Sequence, residues 1–358
     1  MPGPALRAPA DTLPQDWAAL AAHLARSGHR LDLAVPPRQF AGGLGNLNYL
    51  LSIDGKPWVL RRPPLGPIPP GANDMAREHR VLSALSPHWS LVPTPLHMCT
   101  DPAVLGAPFL IMDYRPGLVI GGALPAALHT TEVGYDLSAR LVELMAHLHS
   151  LDPERVGLAS LGKPAGFLER AVAGWTKRAD LTLDGSPRPA AMQSVVTWLT
   201  SRPAPAGHVT LLHNDLKLDN VVLDPRTLTP RAVLDWDMGS RGDPLFDVAT
   251  LLSYWTEAGD PPCMHRLAQM PTASAGFWTR AAVLAAYAGA TGRDVADFGY
   301  YRILAMFKLA VVFLQLEART RRGGPVDPRL AHVAGLGSEL MAFTCELLDD
   351  TRGGGGGL

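Results

Sequence analysis

Hydrophobic and polar positions follow helical spacing in some stretches of this chain and strand-like runs in others. Over residues 11–28, Trp17, Leu20, Ala21 and Leu24 recur at the spacing that gathers them near one face of a helix, with Asp11 as its cap and Gly28 as its end. Residues 40–53 and 56–62 are β-prone runs joined by Asp54-Gly55, the dipeptide of a tight hairpin. Residues 73–85 read as a helix with Val81, Leu82 and Leu85 toward a core, and 109–114 as a short apolar strand. Residues 135–151 form an amphipathic helix with Leu137, Leu141, Leu144, Met145 and Leu148 on its apolar face. On it, His147 and His149 read as packing or surface positions rather than ligands. Residues 152–208 are helical and loop segments rich in Pro and Ala, with no chemistry assigned. Beyond them lie a short strand at 232–234 and helices at 248–254, 273–290, 297–318 and 328–349.

Composition narrows the class. With 47% hydrophobic and 18% charged residues, the chain is an ordinary globular one. A formal net charge of −1 removes any global electrostatic case for binding nucleic acid or a membrane surface. Cys99, Cys263 and Cys345 are scattered and odd in number, which predicts reduced thiols in a cytoplasm-like compartment. The first residues contain no apolar signal-peptide region. The longest candidate span, 303–316, is short for a membrane and is broken by Lys308. The final GGGGGL is low in complexity and reads as a disordered tail.

The chemistry concentrates in residues 209–252. A His213-x-Asp215-x-x-x-x-Asn220 loop lies between apolar runs; Asp235-Trp236-Asp237 follows the short strand, then Gly242-Asp243-Pro244 and Asp247. Phosphoryl transfer uses a carboxylate that deprotonates an acceptor hydroxyl, and an amide with a carboxylate to hold magnesium on nucleotide phosphates. Asp215 fits the first role, Asn220 and Asp235 the second. The plainer reading is a polar loop and a capped helix, against which the ordered set of motifs counts. Upstream, the glycine-rich turn at 42–48 precedes a strand pair, which excludes a Rossmann fingerprint, and it lacks the Gly-Lys-Ser/Thr of a Walker loop.

The segments LLHNDLKLDN and VLDWDMGSRGDPLFD, with the glycine turn and an Arg61/Glu78 pair, resemble the aminoglycoside phosphotransferase and choline kinase superfamily. Within it they look most like the kinase-like domains fused to some acyl-CoA dehydrogenases. The resemblance implies an α+β, bilobal protein-kinase-like fold, with ATP and Mg²⁺ as cofactors. The N-lobe would span residues 1–112, with an antiparallel sheet, and the mostly helical C-lobe 113–350, followed by the tail at 351–358. It implies His213, Asp215 and Lys217 as the catalytic set and Asn220 and Asp235 as metal ligands. Gly43, Gly45 and Asn46 would cover the nucleotide phosphates. Arg61, where kinases carry a lysine, would be oriented by Glu78, with Arg62 as the alternative and a solvated surface carboxylate as the plainer reading of Glu78. Val59 and Val222 would sandwich the adenine, and the backbone of Met112, Asp113 and Tyr114 would meet its edge. Asp247 would brace the catalytic loop, and the role of Asp237 stays open.

Two departures from protein kinases point to a small hydroxylated acceptor. Asn214 replaces the arginine of H-R-D, and only eleven residues separate Asp235 from Asp247, too few for a peptide-binding platform. Residues 255–350 hold ten Asp/Glu against nine Lys/Arg, no acidic excess of the kind a polycationic antibiotic would favour. A hydroxyacid or hydroxyacyl-CoA acceptor is therefore expected. An aminoglycoside or amino-alcohol kinase, a nucleotide-binding pseudokinase and a metal-dependent phosphoesterase are the alternatives.

Overall fold

The computed structural model describes residues 5–42, 45–66, 73–323 and 334–352. In chain order its helices and strands are α1 (Trp17–Arg26), β1 (Arg38–Gln39), β2 (Leu47–Ile53), β3 (Lys56–Arg62), α2 (Met75–Leu85), β4 (Pro95–Cys99), α3 (Pro102–Leu105) and β5 (Phe109–Asp113). Then follow α4 (Thr131–Ser150), α5 (Phe167–Leu181), α6 (Ala190–Thr200), β6 (Thr210–Leu212), β7 (Val221–Leu223), β8 (Pro230–Val233) and β9 (Ser240–Gly242). The last are α7 (Pro244–Ser253), α8 (Pro262–Leu267), α9 (Arg280–Thr291), α10 (Phe298–Arg321) and α11 (Leu336–Arg352). They sort into two compact units, one made of residues 1–119, 154–159 and 220–239, the other of 120–153, 160–219 and 240–358.

The first unit is built on an antiparallel sheet of order β1-β2-β3-β5-β4. Asp54 and Gly55 both take positive φ in the β2–β3 turn, the left-handed pair that matches the twist of a hairpin. The register sets Asn48 against Arg61 and Val59 against Met112. Leu20 and Leu24 of α1 pack with Tyr49, Leu51, Ile53, Leu60, Phe109 and Ile111 in one core. The α1 helix starts later than its periodicity suggests: Asp16, not Asp11, caps it by accepting from the Ala19 amide. The β7–β8 pair belongs to this unit, although 101 residues lie between residue 119 and the start of β7. Leu118 bridges Leu223, and at Gly117 a Cβ would stand 2.4 Å from Val222 Cγ1 and 2.5 Å from the Leu223 carbonyl. Only glycine lets those backbones approach so closely.

The second unit is mostly helical. Its centre is α10, buried on nearly every side and packed by α5, α6, α7 and α11. An all-round apolar helix belongs in a protein core, and this accounts for the run at 303–316. The Thr130 side chain caps α4, which packs on α9 and β6. The two-stranded β6–β9 ladder carries the loop that begins at His213 on its end. Its strands have three residues each, too short for periodicity to reveal. Of residues 351–358, 351 and 352 continue α11 and the others lie outside the described residues.

Candidate active site

In the second unit the loop after β6 is held by its backbone. Asp247, on the first turn of α7, accepts from the amides of His213 and Asn214, each at 2.7 Å. Asp247 is in turn fixed by His149 Nε2 at 3.3 Å, whose Nδ1 lies 2.7 Å from the Tyr287 hydroxyl. Burial alone would raise the Asp247 carboxyl, but the bond from His149 and the nearby His213 outweigh it and hold the group below the usual carboxylate range. His149 therefore braces Asp247 rather than filling space, whereas His147 is exposed. The amphipathic pattern of α4 puts His149 on the buried face but does not name its partner.

Asn214 adopts φ 65°, and Asp215 follows it, partly exposed. Lys217 Nζ binds both oxygens of Asp219, at 2.7 and 2.6 Å, and lies 3.8 Å from Asp215. It also stands 5.8 Å from the centre of the Tyr254 ring. The Tyr254 hydroxyl donates to Asp215; burial and that carboxylate raise its pKa well above the phenol range. His213 is fully buried. The H-x-D-x-x-x-x-N spacing leaves Asp219 as an unspecified position and does not reach Tyr254, so it singles out neither.

The first unit holds the other candidates. Glu78 is fully buried on α2, which excludes a solvated surface role, and accepts from Arg61 Nε at 2.7 Å. Arg61 also bonds Asp235 and lies 3.9 Å from Asp237. Its neighbour Arg62 turns elsewhere, to the Leu105 carbonyl at 2.6 Å and to Gln15. One guanidinium thus faces three carboxylates. Burial, then the nearby Asp235, raises Asp237; burial raises Glu78, with Arg61 offsetting part. Desolvation would lower Arg61, but the surrounding carboxylates more than reverse it.

Asn46 Nδ2 reaches Asp237 at 3.4 Å, and Asn73 Nδ2 holds both the Gly45 carbonyl (2.7 Å) and Asn46 Oδ1 (2.9 Å). Gly45 and Asn46 are thereby tied to the residue that precedes Asp74, the cap of α2. Asn73 was not foreseen; its φ of 53° is invisible in sequence. Gly43 lies outside the described residues. Asn220 is buried, and its carbonyl accepts from Leu234, so the β7–β8 pair brings Asn220 and Asp235 to one end of the ladder. In the strand leading to Tyr114, the Asp113 amide is spent on the Thr94 carbonyl, and its side chain binds the Thr94 amide and Arg115. That amide is not a donor for an adenine edge.

The oxygen donors of Asn220 and Asp235 suit a hard divalent cation, and the excess of carboxylate over guanidinium around Asp235 is charge that such a cation relieves. Among the described residues no three His, Cys, Asp or Glu side chains converge as a protein cage. Magnesium is commonly bound without one, through one or two protein ligands plus phosphate oxygens and water.

Comparison with known proteins decides the family. The sequence family described as phosphotransferase enzymes matches residues 37–286. The chain belongs to that phosphotransferase enzyme family. Rat acyl-CoA dehydrogenase family member 11 is 31% identical over 305 residues, covering 83% of this chain and 38% of its own length. Mouse acyl-CoA dehydrogenase family member 10 is 29% identical over 306 residues, covering 85% and 28%. The chain thus spans between about a quarter and two fifths of these relatives. A crystal structure of an aminoglycoside-phosphotransferase-like protein from Ralstonia eutropha superposes with a TM-score of 0.76 at 25% identity, covering 94% of this chain and 99% of that one. The α+β, protein-kinase-like architecture of the family is the one found here, with the antiparallel sheet in one unit and most helices in the other.

Proposed function

We propose that this phosphotransferase is an ATP- and Mg²⁺-dependent kinase that phosphorylates a hydroxyl of a small molecule. The observation that carries the reading is the Asp247 clasp on the amides of His213 and Asn214, which presents the partly exposed Asp215 beside Lys217. Asp215 takes the proton of the acceptor hydroxyl as it attacks the terminal phosphate; such a base contributes about 10²–10⁴-fold. Asn220 and Asp235 would hold the magnesium ion, which when bound neutralises charge on the phosphates. Arg61, oriented by Glu78, would contact phosphate as a planar fork. Val59 and Val222 would flank the adenine, with backbone groups of Met112 and Tyr114 at its edge. The eleven residues between Asp235 and Asp247 leave no peptide platform, and the buried or partly buried Cys99, Cys263 and Cys345 remain free thiols, in keeping with a reducing, cytoplasm-like compartment.

For the acceptor we favour a hydroxyacid or hydroxyacyl-CoA. The charge balance of residues 255–350 and the likeness to acyl-CoA dehydrogenase family members support it. The test is an ADP-release screen with Mg·ATP over hydroxyacids, hydroxyacyl-CoA esters, aminoglycosides and amino alcohols. Turnover of a hydroxyacyl compound that falls at least about 10²-fold in Asp215→Ala is the expected result. Turnover of aminoglycosides alone rejects the acceptor. Nucleotide binding with no acceptor phosphorylated rejects the kinase and leaves a pseudokinase.

A further inference from the structure

Helix α10 carries one lysine in its buried centre. Lys308 is 5% exposed, and residues 303–311 around it are otherwise apolar and buried. A buried ammonium is costly, and a methionine would fill similar space without that cost. Its contacts show what the charge does. Nζ donates to the Asn214 carbonyl at 2.8 Å, lies 3.5 Å from Thr250 Oγ1, and stands 5.6 Å from the centre of the Phe246 ring. These groups are a carbonyl, a hydroxyl and a ring face. Burial lowers the Lys308 ammonium from its ordinary range, and the carboxylates of Asp215 and Asp247, further off, offset only part of that.

The Asn214 carbonyl is the first half of the peptide bond leading into Asp215. Asp247 fixes the two amides before that bond, and Lys308 fixes its carbonyl. The left-handed Asn214 between them is a conformation that side chains other than glycine adopt infrequently, and it persists where surrounding bonds over-determine it. The two groups thus grip the peptide planes on both sides of Asn214.

We propose that Lys308 is a positioning residue for Asp215: from the centre of the helical unit it fixes the 214–215 peptide plane. This rests on the reading of Asp215 as the base, and the tests separate the two. Lys308→Met, Lys308→Gln and Lys308→Arg are compared with wild type by ADP release from Mg·ATP, with the best acceptor of the screen or, failing one, with water. Amide hydrogen exchange over peptides of residues 209–219 and 280–291 is followed in parallel.

In Lys308→Met, kcat is expected to fall about 100-fold, with KM for ATP within about 3-fold. Exchange at 209–219 is expected to quicken at least about 10-fold, with 280–291 unchanged. Lys308→Arg recovers most of kcat and the slow exchange, and Lys308→Gln falls between. A lysine that merely supports the fold would instead lower Tm and quicken exchange in both segments. Unaltered exchange at 209–219 in Lys308→Met, or an unaltered kcat in an active enzyme, overturns the proposal. If Lys308→Met does not fold, Lys308→Gln decides by the same two readouts. If wild type releases no ADP under any condition, the kinase reading fails, and the exchange data still decide whether Lys308 holds the loop.

Discussion

Arg61 is the residue around which the first unit's electrostatics turn. Glu78 accepts from it in the buried pair, while Asp235 and Asp237 remain to compensate the guanidinium if Glu78 is lost. Glu78→Ala is therefore expected to lower stability by about 1–3 kcal/mol, the cost of a lost buried hydrogen bond, seen as a lower urea midpoint with an unchanged slope. Asp247 gives the second unit a pH dependence. Its folded carboxyl lies below the ordinary value, so its stabilisation is present above about pH 4 and is lost as pH falls through the folded pKa. The stability gap between wild type and Asp247→Asn should be widest near neutrality, about 2–4 kcal/mol, and close in melts taken progressively below about pH 4.

At the scale of elements, two glycines test how packing decides a substitution. Gly117 lies against β7, where a Cβ would meet Val222 and the Leu223 carbonyl well inside contact distance. Gly117→Ala should cost about 1–3 kcal/mol and disturb the β7–β8 ladder. Gly289, inside α9, has nothing within 4 Å of its Cβ position. Gly289→Ala should raise stability by about 0.5–1 kcal/mol, because alanine propagates a helix better. Thermal melts of the two variants should thus move in opposite directions. Elements with long periodic faces were legible: α4 buries all five of its predicted apolar positions. The three-residue strands β6, β7 and β9 were not, since their existence depends on partners distant in sequence.

For the whole molecule, the thiols report on compactness. Cys99 and Cys263 are buried and Cys345 is partly exposed, and burial raises the Cys263 thiol. A thiol reagent should modify Cys345 first in native protein and all three cysteines in urea; rapid native labelling of three would contradict this arrangement. Among the described residues no helix is long and apolar enough to cross a membrane. The apolar stretch that came nearest in sequence is the central part of α10, and its interrupting lysine is a structural group of the core rather than a break in the pattern.

The order of the motifs, the Asp-Gly hairpin, the main amphipathic helices and the residue types that suit phosphoryl transfer are legible along the chain. These are local properties, written in spacing and in side-chain chemistry. That Arg61 rather than Arg62 meets Glu78, and that β7 and β8 join the first unit, is settled by packing. Packing also settles that His149 and Lys308 serve the loop bearing Asp215. The reason is physical. A buried charge takes its meaning from the partners that compensate it, and those partners lie as far as 174 residues away along the chain.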